Sequence, residues 1–600
     1  KQQVSLRDVA IDMPAGPSEV AIVADDTSNA EFVAADLLSQ AEHGADSQSV
    51  VITTSETIVH KVVNQVETQV SKLSRKDLID KSLEHCKIIL MENVDDVMDI
   101  VNEYAKNDDR FVIEGLPFLK EDDNEYDDNV DGGGFGFLMR ETSTDNGDHT
   151  WGAWMKGSTV SMCTSSTTDP CFSNYWNVNY EVIKRCNLLI ENIDRITEID
   201  AGKIASFKAE AIALRALMYC NLISVYRDVP YLTKPLTLAE AQAPKNMRDE
   251  IVSSIIADLK THIPQLPSVG QAETGRMTKE AGYAILGRIA LFNQHWDEAI
   301  SAYKNVIGKV ELFKSGDGTD YVANYADLFK EENETASEVL LSVHFKGPGL
   351  GEGSTFGVCW KAPLNAVEAS MNLCDDYYCI DGLPIDKSPL FKGSLTQGAH
   401  TKANPDMLRY ENRDPRLKAT LMLPGMEWNG KLYTNNLPAS STACILKWFT
   451  PTNTANEYDG SLDFYIIRYA EVLLSLAEAM IEQGGYSQNE ITSYINEVRA
   501  RVGMPSVESV EGTGLTQEQL RDIVRHERRV ELAFEDLRFA DLYRWGEFEN
   551  AQKRMQQDKA FYGFGVVNRG AMRGGQDLVW PIPQSEIDTN PMLEQHAEWM

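Results

Sequence analysis

Residues 524–546, VRHERRVELAFEDLRFADLYRWG, carry Arg528, Arg529, Glu531, Glu535, Arg538, Asp541 and Arg544. A pair of carboxylates in such a setting is the raw material of acid–base hydrolysis. On a helix, however, Arg528–Glu531, Arg538–Asp541 and Asp541–Arg544 stand three residues apart, so opposite charges face one another. Carboxylates held beside guanidinium groups stay ionised and are poor proton donors. Val530, Leu532, Phe534, Leu537 and Leu542 lie between them and indicate burial. The expectation is a buried, ion-paired helix rather than a catalytic one.

Other chemistry-bearing patterns are incomplete. Residues 121–136, EDDNEYDDNVDGGGFG, place Asp127, Asn129, Asp131 and Gly132 at the first, third, fifth and sixth positions of a calcium loop. Position twelve is Leu138 instead of the bidentate Glu, so a solvated acidic turn is expected and no metal ligand is assigned. The ten His residues form no HExxH motif, and no nucleophile elbow, Walker loop or dinucleotide fingerprint is present. No catalytic residue and no cofactor is therefore expected. Nine Cys is an odd number without CxxC spacing. Cys374 with Cys379, and Cys163 with Cys171, are near enough in sequence to be candidate bridges.

Aromatic residues are the remaining lead. Trp151 and Trp154 lie in NGDHTWGAWMKGS, Trp360 in STFGVCWKAPLN and Trp428 in PGMEWNGK, all polar segments with Gly or Pro. An indole in such a segment has little core to pack against. The CH faces of a sugar stack on it while polar neighbours bond hydroxyls. Trp151, Trp154 and Trp360 are the candidate ligand-binding residues. Trp176, Trp296 and Trp545 sit in helical patterns and are assigned to core or scaffold.

The elements that must position these residues fall into two unlike parts. In residues 1–105, a Pro/Gly turn and β-branched strand within 10–26 and strands at 50–53 and 87–92 alternate with helices at 29–44 and after 53, which predicts an α/β unit with a parallel sheet. From about 106 the chain is mainly α. Segments 179–196, 208–232, 275–307 and 461–485 have apolar residues at three-to-four spacing. In 275–307 the small residues Ala284, Gly287 and Ala290 face Trp296, Ala299 and Tyr303 across a short connection, the logic of a tetratricopeptide-like repeat. A helical-repeat scaffold is expected over 106–307 and 461–600. Between them, 308–460 is rich in Gly, Pro, Asn and aromatics and is expected to be the loop-rich, ligand-binding region.

A net charge of −35 argues against nucleic acid as a partner, since phosphate backbones need Lys and Arg. It favours a neutral or cationic ligand over a polyanion unless a local basic pocket intervenes. No apolar run reaches the length of a membrane-spanning helix.

The wording of 524–546 and of 580–595, WPIPQSEIDTNPMLEQ, resembles the SusD/RagB family of nutrient-binding outer-membrane lipoproteins. KAEAIALRALMYCNLISVYRDVPYL, MTKEAGYAILGRIALF, YYCIDGLPI, RYENRDPRLKATLMLPG and IIRYAEVLLSLAEA follow in the family's order, so the resemblance covers about 106–600. One departure is Arg227-Asp228, where the family usually has Tyr-Gly. The resemblance implies a SusD-like fold and a non-enzymatic protein on the surface of the outer membrane. It further implies an oligosaccharide ligand, a SusC-like TonB-dependent transporter as partner, and a lipid anchor that this sequence does not carry. Some members bind peptides, which is the alternative ligand. Residues from about Val4 to Ala105, with DMPAGPSEV and DLLSQAEHG, resemble an interior stretch of histidinol dehydrogenase. By that resemblance Gln40 and His43 correspond to zinc ligands. The family's other zinc ligands come from later segments, and its Glu-His pair is replaced here by Lys106-Asn107-Asp108-Asp109 after NEYA. A zinc- and NAD-dependent dehydrogenase is thus the weaker alternative, and a glycoside hydrolase would need two opposed carboxylates in a cleft.

Overall fold

The computed structural model describes residues 20–24, 28–41, 49–70, 73, 76–83, 86–90, 140–149, 158–196, 199–236, 240, 242–348, 353, 367–401, 403–428, 430–433, 443–448, 459–562 and 569–600. The chain divides into two compact units, residues 1–114 with 122–126, and residues 115–121 with 127–600.

The first unit has three strands, β1 (Val20–Ala24), β2 (Ser49–Thr53) and β3 (Lys87–Leu90), paired in parallel in that order. Ala21 sits opposite Val50, and Val51 opposite Ile88. Parallel neighbours require crossover connections. These are α1 (Ala30–Ala41), and α2 (Glu56–Val70) followed by α3 (Lys76–Leu83). Leu37, Leu38, Val51, Ile58 and Val62 form the core between helices and sheet. The α/β expectation is met.

The second unit is mainly helical. Helix α4 (Pro170–Asn192) lies beside α5 (Ala201–Tyr226), which packs on α6 (Arg248–His262). Helix α5 begins at residue 201, seven residues earlier than its apolar pattern suggests, because Asp200 accepts from the N–H groups of Gly202 and Lys203 at 2.9 and 3.2 Å. It is buried on all sides from Ala209 to Cys220 rather than amphipathic. Its end is at Arg227, whose φ of 67° is a region where Gly is at ease. Helices α7 (Lys279–Phe292) and α8 (Trp296–Lys304) form the expected pair. A Cβ on Gly287 would come within 2.4 Å of the Tyr303 ring, so only Gly allows this approach.

Segment 461–485 divides. Phe464–Arg468 is strand β11, all five residues buried and antiparallel to β5 (Val339–Val343); only Tyr469–Gln483 is helix, α11. The run FYIIR is aromatic and β-branched, and the partner strand overrides its helical spacing. The Gly484-Gly485 stop stands, both residues having positive φ. Helix α12 (Gln488–Arg501) packs on α11.

The motif at 524–546 is not one helix. It ends helix α13 (Gln517–Glu531), turns through Phe534 and Asp536 at φ 61° and 64°, and resumes as α14 (Arg538–Trp545). Helix α15 (Phe548–Tyr562) follows. Tertiary ion pairs account for the break. Glu535 reaches Lys447 and Arg468, Asp536 reaches Arg140, and Trp448 Nε1 donates to the Phe534 carbonyl at 3.0 Å.

The loop-rich region holds the short helices α9 (Met371–Asp376) and α10 (Pro415–Thr420) and supplies most of a four-stranded sheet, order β4 (Gly147–His149), β6 (Val367–Ala369), β10 (Cys444–Ile445) and β7 (Leu421–Met422). Strands β8 (Glu427–Trp428) and β9 (Lys431–Leu432) make a hairpin, so Trp428 lies on a strand. Cys163, Cys171, Cys374 and Cys379 are buried free thiols, and neither candidate bridge forms.

Candidate functional site

The ionisable residues of the C-terminal motif form a buried lattice, with pairings that differ from those read along one helix. Glu531 accepts from Arg468 Nη1 at 2.7 Å, from Arg416 Nη1 at 2.9 Å and from Arg501. Glu338 accepts from Arg468 at 2.7 Å and Arg501 at 3.0 Å. Glu527 bridges Arg416 and Arg499, each at 2.7 Å. Arg528 goes to Asp541 at 3.0 Å instead of Glu531, and Arg538 goes to Asp145 at 2.9 Å instead of Asp541; the expected Asp541–Arg544 pair forms at 2.7 Å. Burial alone would raise these carboxyls. Three guanidinium groups instead hold Glu531 far below the usual range, and Arg416 with Arg499 bring Glu527 down to about 2. Such groups are fixed charges, not proton carriers.

This lattice grips residues 140–149. Asp145 is fully buried and meets Arg529 at 3.4 Å, Arg538 at 2.9 Å and Arg554 at 2.7 Å. Burial would push its carboxyl up, but the three guanidinium groups hold it well below the carboxylate range. Arg569 Nη2 donates to the carbonyls of Thr142, Thr144 and Gly147 at 2.7, 3.0 and 2.8 Å. Arg140 pairs with Asp536, and Glu141 accepts the Asp536 N–H at 2.9 Å. Burial, with Asp536 beside it, pushes the Glu141 carboxyl up to about 8. The anchored segment then runs into β4. There Gly147 lies against β6 so closely that a Cβ would stand 2.4 Å from the Glu368 carbonyl oxygen.

Strands β4 and β6 are antiparallel, with Gly147 opposite Ala369 and His149 opposite Val367. The chain leaves β4 at His149 toward 150–157 and enters β6 at Val367 from 354–366. Both segments therefore join the sheet at the same end of one ladder. Trp151 and Trp154 belong to the first and Trp360 to the second. All three lie outside the described residues, as do the acidic loop 121–136 and His43. The side chain of Gln40, on α1, is likewise not described. The zinc donor set implied by the N-terminal resemblance is thus not assembled among the described residues. Among the described residues, no group of three His, Cys, Asp or Glu is placed to hold one.

Of the scaffold tryptophans, Trp176 is 3% exposed and meets the Tyr226 ring edge-on at 5.1 Å. Trp296 and Trp545 are only half-buried. Trp545 Nε1 donates to Glu478 at 2.7 Å, and its ring lies beneath Arg525 and Arg544. A cavity of about 50 Å³, with Arg140, Tyr175, Cys220 and Asp536 in its wall, lies inside the second unit. It has room for water but not for a sugar, since ligand pockets start near about 300 Å³. The anchoring roles of Asp145, Arg554 and Arg569 were not visible in the sequence. Asp145 stands in the aperiodic stretch TSTDNGDH, and its partners are about 400 residues away.

Comparison with known proteins finds similar proteins for both units. The model of the SusD family matches residues 315–599, and a model described as "Starch-binding associating with outer membrane" matches 133–291. SusD-like protein P25 of Formosa agariphila is 26% identical over 451 residues, covering 70% of this chain and 78% of that protein. A SusD-like carbohydrate-binding protein from Bacteroides fragilis superposes with a TM-score of 0.66 at 24% identity, covering 84% of this chain and 99% of that one. A laminarin-binding SusD-like protein gives 0.57 at 24% identity over 77% and 94%. From residue 133 onward the two SusD-type family models match the chain in turn, and the fold is that of SusD-like proteins. Residues 1–153 match the histidinol dehydrogenase model, and the enzyme from Bacteroides fragilis strain YCH46 is 51% identical over 120 residues. That match takes in 20% of this chain and 28% of the enzyme, so the chain spans about a quarter of the histidinol dehydrogenases it resembles.

Proposed function

We propose that this protein is a non-catalytic glycan-binding protein of the outer-membrane surface that captures oligosaccharides and passes them to a SusC-like TonB-dependent transporter. The observation that carries the binding part is the β4–β6 ladder. It brings the segment of Trp151 and Trp154 and the segment of Trp360 to one end of one sheet, on a base fixed by buried ion pairs. A rigid base with polar, indole-bearing segments suits recognition of a neutral sugar by stacking and a few hydrogen bonds. The carbohydrate- and laminarin-binding relatives support the same ligand class, and the outer-membrane wording of the matched family model supports the location.

The N-terminal unit contributes no dehydrogenase activity in this reading. It matches about a quarter of the enzyme, and Lys106-Asn107-Asp108-Asp109 stands where the Glu-His pair would be. The test is calorimetric titration with a panel of neutral oligosaccharides, laminarin fragments among them, beside a peptide library. Saturable binding to a glycan is expected. Binding confined to peptides, or release of reducing ends from the glycans, would overturn the proposal.

A further inference from the structure

A cavity of about 110 Å³ lies at the end of α5, where that helix meets the first turn of α6, the last turn of α7 and α14. Arg227, Arg248 and Arg544 all line it. Carboxylates of the fold answer Arg544 and Arg227, which leaves Arg248 as the cation to be accounted for.

The donor inventory shows what is unspent. A guanidinium has five N–H donors. Arg544 is turned to Glu478 and Asp541, which take four bonds from it. Arg227 gives two to Glu598, at 2.8 and 3.2 Å, and a long one of 3.4 Å to Asp228. Arg248 gives its backbone N–H to Asp228 at 2.9 Å, but its guanidinium meets no carboxylate or carbonyl among the described residues. Lys245 adds a fourth cation nearby; burial pushes its ammonium pKa down, Asp228 opposes this, and Arg227 adds to it. Arg227 is also held at a backbone cost. Its φ of 67° and ψ of −76°, with the Asp228 N–H bonded to the Tyr226 carbonyl at 2.9 Å, make a strained γ-turn. Strain of this kind persists where the surroundings fix it, and it gathers at binding sites. The Arg227 side chain is 41% exposed, so the cavity communicates with solvent.

We infer that this cavity binds a small oxyanion, a carboxylate, sulfate or phosphate group, with Arg248 as principal donor and Arg227 completing the contact. Its size admits one such group and not a sugar chain. The site is separate from the β4–β6 edge and does not depend on the glycan reading.

The test is calorimetric titration of the full chain with sodium sulfate, inorganic phosphate and acetate, at ionic strength held constant with chloride. Saturable one-site binding of at least one of the three is expected, and the arm that binds separates tetrahedral anions from carboxylates. Arg248→Gln should weaken it about tenfold or more, the usual worth of a hydrogen bond to a charged group. Arg227→Gly should also weaken it while leaving Tm unchanged or higher, because glycine relieves the γ-turn. Loss in Arg248→Gln alone still supports the site and confines the contact to Arg248. No saturable heat from any anion, or parental affinity in Arg248→Gln, overturns the inference.

Discussion

Arg538 Nε donates to Asp145 Oδ1 at 2.9 Å, joining two residues 393 apart in sequence, with Asp145 closed to water. The contact ties the C-terminal motif to the strand from which the Trp151 segment departs. The motif is therefore a clamp on the base of the candidate binding edge. Asp145→Asn removes the charge that Arg529, Arg538 and Arg554 share and leaves those guanidinium groups buried without it. The expected loss is about 3–5 kcal/mol, measured by urea unfolding. A loss under 1 kcal/mol would show that the clamp is not structural.

Gly147→Ala should be disproportionately harmful for one methyl group. Its Cβ would meet backbone, the Glu368 carbonyl oxygen, which cannot rotate away. Opening the β4–β6 ladder should cost about 1–3 kcal/mol and weaken glycan binding together. Wild-type stability and affinity in this variant would remove the ladder from the account.

The pH dependence of stability has two arms. Glu141 and Glu334 are both pushed up to about 8, in each case by burial first and a neighbouring Asp second, and His344 is raised chiefly by its hydrogen bond to Asp463. Raised folded-state pKa values mean stability fully present below the unfolded values, about 4.3 for Glu and 6.5 for His, and lost as pH rises through the folded ones. Asp145, Glu527 and Glu531 are depressed, so their contribution is present above about 4 and lost as pH falls toward 2. Burial pushes His400 and His596 down to about 4, so their contribution grows between about pH 4 and 6.5 and opposes the loss from Glu141 and Glu334 there; chemical denaturation should find the decline from about pH 6.5 to 8. Glu334→Gln should flatten that decline, and an unchanged slope would contradict the assignment.

Trp545→Ala tests the scaffold separately. Trp545 is half-buried, so it is not the core cavity that its helical pattern suggests. It donates to Glu478 and covers Arg525 and Arg544. Losing a hydrogen bond to a charged group costs about 2 kcal/mol, and glycan affinity should be unaffected. A change in affinity with unchanged stability would reverse the assignment.

The helical framework was legible because α7 and α8 announce themselves by small residues opposite aromatic ones, and Gly287 against Tyr303 is the contact that spacing implied. The α/β unit was legible for the same local reason. What spacing could not show was the strand Phe464–Arg468, whose apolar residues fit a helical period equally well until a partner strand exists. Nor could it show the turn at Phe534–Asp536, imposed by Lys447, Arg468 and Arg140 from distant segments. The expected burial of the ion pairs holds, as does the local Asp541–Arg544 pair, whereas the other two pairings are tertiary. Arg528 and Arg538 each take partners that lie closer in space than the carboxylate three residues on. For the candidate site, the aromatic segments were visible in composition, whereas their convergence on His149 and Val367 needed the sheet register.

The central claim is that the segments leaving the β4–β6 ladder hold the glycan through Trp151, Trp154 and Trp360. The direct measurement is calorimetric titration of a bound neutral oligosaccharide into the parent and the three single Trp→Ala variants, with Tm recorded for each. A stacked indole contributes on the order of 1 kcal/mol beyond its buried area. The account predicts that at least one variant loses about fivefold or more in affinity, as such a contact implies, with its Tm unchanged. Parental affinity in all three would contradict it and place the site elsewhere on the fold.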